Sequence, residues 1–104
     1  MGEEHEFYLH QLSSLGWVRS GQGRYAEAVQ LLRPAAKGLD TVVAQSRYAG
    51  LAHVWLAAAL AGAAQHDAAE REAREGYEIL RKVTGAESVE LAEATRVLAA
   101  IQAK

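Results

Sequence analysis

Cysteine is absent from the 104 residues, which excludes disulfides and thiolate metal sites. Proline occurs once, as Pro34. β-Branched residues are sparse and alanine is the commonest residue. That mixture favours helices, because alanine loses no side-chain entropy there. A concentrated positive field is missing too. The net charge is −2, with five basic and five acidic side chains in residues 1–52 and six and eight in 53–104. Nucleic acid is therefore not expected as a partner. No apolar run spans a bilayer: the longest weakly polar stretch, Leu51 to Ala64, contains His53 and falls short of the roughly 20 residues required. Met1-Gly2-Glu3-Glu4-His5-Glu6 is acidic and has no apolar centre, unlike a signal peptide. Glu6 stands where an N-myristoylation motif needs Ser or Thr. By elimination a cytoplasmic protein that does not bind membranes is expected.

Chemical machinery is equally scarce. No nucleophile–base arrangement is recognisable. Gly21-Gln22-Gly23 follows a helix pattern and has no strand before it, so it reads as a turn and not as a phosphate cradle. His5 and His10 diverge by about 140° around a helix. Glu6 and His10 share a face but supply only two ligands, and His53 and His66 lie in different elements. No enzyme activity, cofactor or metal is expected, and His53 reads as a semi-buried packing residue.

Helical periodicity is what the chain does contain, and half of its residues are apolar, enough for one core. Five helices are predicted. The first runs from about Glu4 to Ser20, with Tyr8, Leu12, Leu15 and Val18 as its inward stripe. The second runs from about Tyr25 to Leu39 on Ala28, Leu32, Ala35 and Leu39. Pro34, inside it, costs about 3 kcal/mol and predicts a kink over residues 30–34, not a break, because the stripe continues. Asp40 or Thr41 is expected to cap the third helix, which ends near Ala61 with Gly62 as its stop. The fourth, from near Asp67 to Val83, buries Ala69, Ala73, Gly76, Tyr77 and Leu80. Its other face pairs Asp67–Arg71, Glu70–Arg74, Arg71–Glu75 and Glu78–Lys82, each worth roughly 0.2–0.5 kcal/mol on a solvated face. After Thr84-Gly85-Ala86, Ser88 caps a fifth helix to about Ala103, with Leu91, Leu98 and Ile101 inward.

Shifting the first helix pair by 41 positions places Leu15 on Leu56, Gly16 on Ala57, Ala28 on Ala69, Leu32 on Ala73, Ala35 on Gly76 and Leu39 on Leu80. Small residues fall on small ones where helices approach, and large on large where space is filled. A third copy starts at Leu98-Ala99 and stops after one helix. Residues 1–104 thus form one domain: repeat 1 at about 4–39, repeat 2 at about 43–83, and a half repeat or capping helix at 88–103.

The segment from Leu12 to Ala28 resembles a tetratricopeptide repeat. Leu15, Gly16, Gly23, Tyr25, Ala28, Leu32 and Ala35 fall at that family's positions. In the second copy Ala57, Ala64 and His66 replace the helix glycine, turn glycine and turn tyrosine. The long spacing is similar to the kinesin-light-chain-like branch, whose repeats run about 42 residues. The resemblance implies an all-α, right-handed α-solenoid of about 2.5 helix-turn-helix repeats. It also implies a concave groove lined by the first helix of each pair. Carried over, that groove holds His10, Ser13, Trp17 and Ser20, then Leu51, Val54, Ala58 and Ala61, then Glu93, Arg96 and Ala100.

Family members that grip a terminal carboxylate use Lys, Asn and Arg. The corresponding first-repeat positions here are Ser13 and Trp17, so that clamp is absent. The groove implied is mainly apolar, with Arg96 as an anchor charge or as the partner of Glu93 or Glu90. It fits an apolar peptide or helix, and the function implied is non-catalytic protein binding. Trp55 is expected in the core; Trp17 fits both packing and an exposed anchor. The alternative is a self-association or regulatory domain. Fewer than three repeats are marginal. Thr95, Ala99 and Gln102 form a polar or small free side on the fifth helix, as a cap would have, but Leu91, Val97 and Ile101 would leave apolar surface for a homodimer or a parent polypeptide to cover.

Overall fold

The computed structural model describes the backbone of residues 2–103 and the side chains of 5–103; Met1 and Lys104, the ends of the expected domain, lie outside it. Five helices and no strand occur among the described residues: α1 (Gly2–Gly21), α2 (Tyr25–Val43), α3 (Arg47–Gly62), α4 (His66–Val83) and α5 (Val89–Gln102). None is long and apolar enough to cross a membrane. α1, α3 and α5 touch in succession and make one layer. α2 bridges α1 and α3 behind it, and α4 bridges α3 and α5. The molecule measures 40 × 31 × 19 Å; the short dimension matches two layers of helices about 10 Å thick.

The α1–α2 and α3–α4 turns, 41 residues apart, match atom by atom. Arg24 N donates to the Arg19 carbonyl at 2.9 Å, as Gln65 N does to Leu60; Gly23 N donates to Ser20 at 3.0 Å, as Ala64 N does to Ala61. Gly23 and Ala64 both lie in the left-handed region, at φ 79° and 65°. The helices that follow nest on the predicted stripes: Ala28, Leu32, Ala35 and Leu39 of α2 and Ala69, Ala73 and Leu80 of α4 are all fully buried. At the α3–α4 crossing a Cβ on Gly76 would stand 2.8 Å from the Gly50 carbonyl oxygen, so only glycine permits that approach.

Several expectations are corrected. Tyr8, Leu15 and Val18 are not inward; they are 58%, 42% and 51% exposed. α1 instead buries Leu9, Ser13, Gly16 and Ser20, because Leu32 of α2 packs down onto Gly16. A helix with apolar residues on both faces gives no periodicity that selects one of them. The second helix does not end near Leu39. It runs on past Gly38, against which Leu9 packs. Asp40 does not cap either, since its carboxylate faces His53. The break falls at 44–46, and Ser46 Oγ accepts from Ala49 N at 3.1 Å.

α2 is unbroken through Pro34. Pro34 and Gln30, whose carbonyl loses a partner, both lie on the solvent side. Ser88 caps α5 as expected, accepting from Leu91 N at 3.0 Å. Of the four expected pairs on α4, Glu70–Arg74 forms at 2.7 Å, while Glu78 takes Arg81 in place of Lys82. Val97 and Ile101, offered as residual apolar surface, are 4% and 7% exposed and belong to the core.

Candidate functional site

The inner layer bears a row of rings contributed alternately by α3 and α1. Tyr48 stacks on His10 with centroids 4.2 Å apart, His10 lies 6.2 Å from Trp55, and Trp55 stacks on Trp17 at 5.5 Å and 17°. Such pairs add about 0.5–1.5 kcal/mol each beyond their buried area. All four are half-buried: Trp55, expected in the core, packs against it without being fully enclosed, and the row lies between α1 and α3. Burial lowers the His10 pKa, against an opposing pull from Glu6. Its Nδ1 is buried with no hydrogen-bond partner among the described residues. A neutral imidazole stacks there with less desolvation cost than a cation would.

At the Trp17 end of this row opens a cavity of about 390 Å³. Trp17, Ser20 and Tyr25 form one wall, Ala58 and Ala61 of α3 the floor, and Arg96, Val97, Ala100 and Ile101 of α5 the far wall. The Tyr25 ring packs against Gly62, where any Cβ would stand 2.4 Å from it. Trp17, Ser20, Ala58, Ala61, Arg96 and Ala100 all belong to the groove set that the family resemblance implies, and the fold brings them together around this cavity.

The remaining expected groove positions divide. His10 joins the ring row, and Leu51 is half-buried beside the core. Ser13, Ser20 and Val54 are 0%, 7% and 0% exposed, which corrects their expected role as partner contacts. Ser13 Oγ donates back to the Leu9 carbonyl at 3.1 Å, and Ser20 borders the cavity with almost no surface of its own. These small side chains sit where α1 must approach its neighbours. Arg96 is not a free anchor. Its guanidinium pairs with Glu93 at 2.7 Å on the cavity rim, while Glu90 takes Arg47 at 3.0 Å.

Behind α3 lies a second polar cluster that sequence reasoning did not find. His53, 6% exposed, joins Glu72 of α4 through Nδ1 at 2.5 Å and Asp40 of α2 through Nε2 at 2.9 Å. Burial alone would lower its pKa. The hydrogen bonds and charges of Glu72 and Asp40 outweigh that and raise it to about 9. His53 is therefore a cation at neutral pH, and each ring nitrogen donates to a carboxylate. No lone pair is left for a metal ion or for accepting a proton. The cluster is a strut across three helices, not a reactive centre. The signal was a polar residue on each apolar stripe: Asp40 lies one turn beyond buried Ala36, and Glu72 one turn before buried Gly76.

Comparison with protein-family models, curated proteins and solved structures finds no match to this chain.

Proposed function

We propose that this chain is a tetratricopeptide-type repeat module, a right-handed solenoid of about two and a half repeats, that binds a protein partner without catalysing a reaction. The partner lays an apolar helix or peptide against the face formed by α1, α3 and α5. The observation that carries this reading is the cavity between Trp17, Ala58, Ala61 and Ala100. An anchoring side chain fits there against an indole and three methyl groups, with the Arg96–Glu93 pair at its rim. Buried aromatic anchors surrounded by small residues are the usual source of interface energy. Among the described residues no cluster of free cations stands in the groove, so the ligand is recognised by apolar shape and not by a terminal carboxylate.

The test is a selection of displayed peptides against the wild-type chain, followed by titration of the selected peptide. Binding should perturb the indole N–H resonances of Trp17 and Trp55. Ala100→Arg, at an exposed position on the cavity wall, should abolish binding while the circular dichroism spectrum is unchanged. Trp17→Ala should weaken binding by about 2 kcal/mol or more, the scale of an aromatic hot spot. A selected peptide that binds both variants as well as wild type refutes the groove.

A further inference from the structure

The ring row interlocks two helices. His10 and Trp17 are seven residues apart on α1, and Tyr48 and Trp55 are seven apart on α3. Residues at that spacing share a helix face about 10.5 Å apart. The His10 ring lies 4.2 Å from Tyr48 and 6.2 Å from Trp55, which places it in the slot between them, and Trp17 follows beyond Trp55 at 5.5 Å. Of the ring types in this row, only imidazole ordinarily changes its charge between pH 5 and pH 8. The slot suits the neutral form. Nδ1 is buried with no hydrogen-bond partner among the described residues, and the tautomer protonated at Nε2 leaves only a bare lone pair there. A second proton has to go onto Nδ1, where it finds no acceptor. A cation gains from the faces of Tyr48 and Trp55, but an unpaired buried N–H that carries charge costs more than such a contact returns. Burial accordingly holds the His10 pKa below the ordinary 6.5, against the pull of Glu6 one turn earlier on α1. From α3 the imidazole meets the two rings, and Arg47, next to Tyr48 in sequence, is taken by Glu90.

We propose that His10 is an acid-sensitive latch: the neutral ring holds α1 on α3, and a proton on Nδ1 drives it out of the slot and loosens the Trp17–Trp55 stack. α1 stays docked on α2, where Leu32 packs on Gly16 and Leu9 packs on Gly38. What opens is the α1–α3 seam. Trp17 forms a wall of the groove cavity, so mild acid also lowers the affinity of the groove for its partner, which is held at neutral pH and released below it. That second consequence rests on the function proposed above; the latch does not.

Proton NMR of the full chain between pH 7.5 and pH 5, above the ordinary carboxylate range, follows the His10 ring and both indoles, and aromatic circular dichroism follows the Trp17–Trp55 stack. His10 is expected to titrate below pH 6.5, and the tryptophan signals should change with the same midpoint while the helix signal is constant. His10→Phe keeps a ring in the slot without the proton and leaves every other histidine in place, so its tryptophan signals should be flat. Glu6→Gln removes the charge that favours the proton and should move the midpoint to lower pH; it alters no ring and carries the test if His10→Phe fails to fold. A peptide selected on the groove should bind wild type about threefold to tenfold more weakly at pH 5 than at pH 7.5, the ratio by which the proton prefers the open seam, and should bind His10→Phe equally at both. Tryptophan signals that stay constant while His10 titrates overturn the latch, as does a midpoint above pH 6.5 or a transition of equal size in His10→Phe. If the tryptophan transition occurs and peptide affinity ignores pH, the peptide does not touch Trp17, which counts against the groove and leaves the latch standing.

Discussion

When the proton of His53 leaves, one hydrogen bond is lost, either to Glu72 or to Asp40, and two carboxylates face each other across a neutral ring. The folded-state pKa of about 9 lies above the ordinary 6.5. The folded chain therefore holds this proton more tightly than the unfolded chain, and stability falls wherever only the folded state is protonated. The contribution is complete below about pH 6.5, declines between there and about pH 9, and is gone above. Its size is on the order of 2–3 kcal/mol, taking account of solvent access to the carboxylates. Urea midpoints measured from pH 6 to pH 10 should drop across that window, and His53→Gln should flatten the drop. A wild-type midpoint that stays level from pH 6.5 to pH 9 would refute the strut.

At the scale of the element, the turn between α3 and α4 copies the turn between α1 and α2 but uses the wrong residue. Ala64 takes φ 65° where Gly23 takes 79°. A Cβ in that region costs roughly 1–2 kcal/mol, partly offset because glycine loses more chain entropy on folding. Ala64→Gly should therefore stabilise the chain by about 0.5–1 kcal/mol, and Gly23→Ala should destabilise it by a similar amount. Nothing lies within 4 Å of a Cβ built on Gly23, so the second variant isolates the backbone effect. Melting temperatures moving in opposite directions check the pair; a shift of the same sign in both variants would contradict the shared turn.

These turns also mark how much of the architecture was legible. α2 and α4 were readable because each has one apolar stripe, and the two stripes stay in one register 41 residues apart, even where Leu32 meets Ala73. α1 was not, because Leu9 and Tyr8 are adjacent and both apolar, yet one is buried and the other is in water. The α2–α3 break was misplaced because Asp40, a good capping residue, is drawn to His53 in three dimensions. The groove was half legible. The family resemblance pointed to Trp17, Ala58, Ala61, Arg96 and Ala100, which line the cavity, but a resemblance cannot tell a small side chain that lines a cavity from one that lets two helices touch. Ser13 and Val54 are of the second kind.

For the whole molecule the controlling fact is that α3 alone touches all four other helices. A repeat array gains stability from nearest-neighbour interfaces, so the centre of the array is held most firmly and its ends open first. α5 is held by α3 and α4, through Ala94, Val97 and Ile101, and by the Arg47–Glu90 pair at 3.0 Å. That pair is exposed on the arginine side and adds little. Ile101→Asp places an unpaired carboxylate in this interface, at a cost of about 3 kcal/mol or more. The loss should be local before it is global. Native-state hydrogen exchange should quicken first in α5, then in the part of α4 that α5 covers, while α3 and α2 stay protected. The same opening removes Val97, Ala100 and Ile101 from the cavity wall, so peptide affinity should fall together with α5 protection. Equal acceleration in all five helices would mean that the chain opens as one unit and that α5 is not a separable cover.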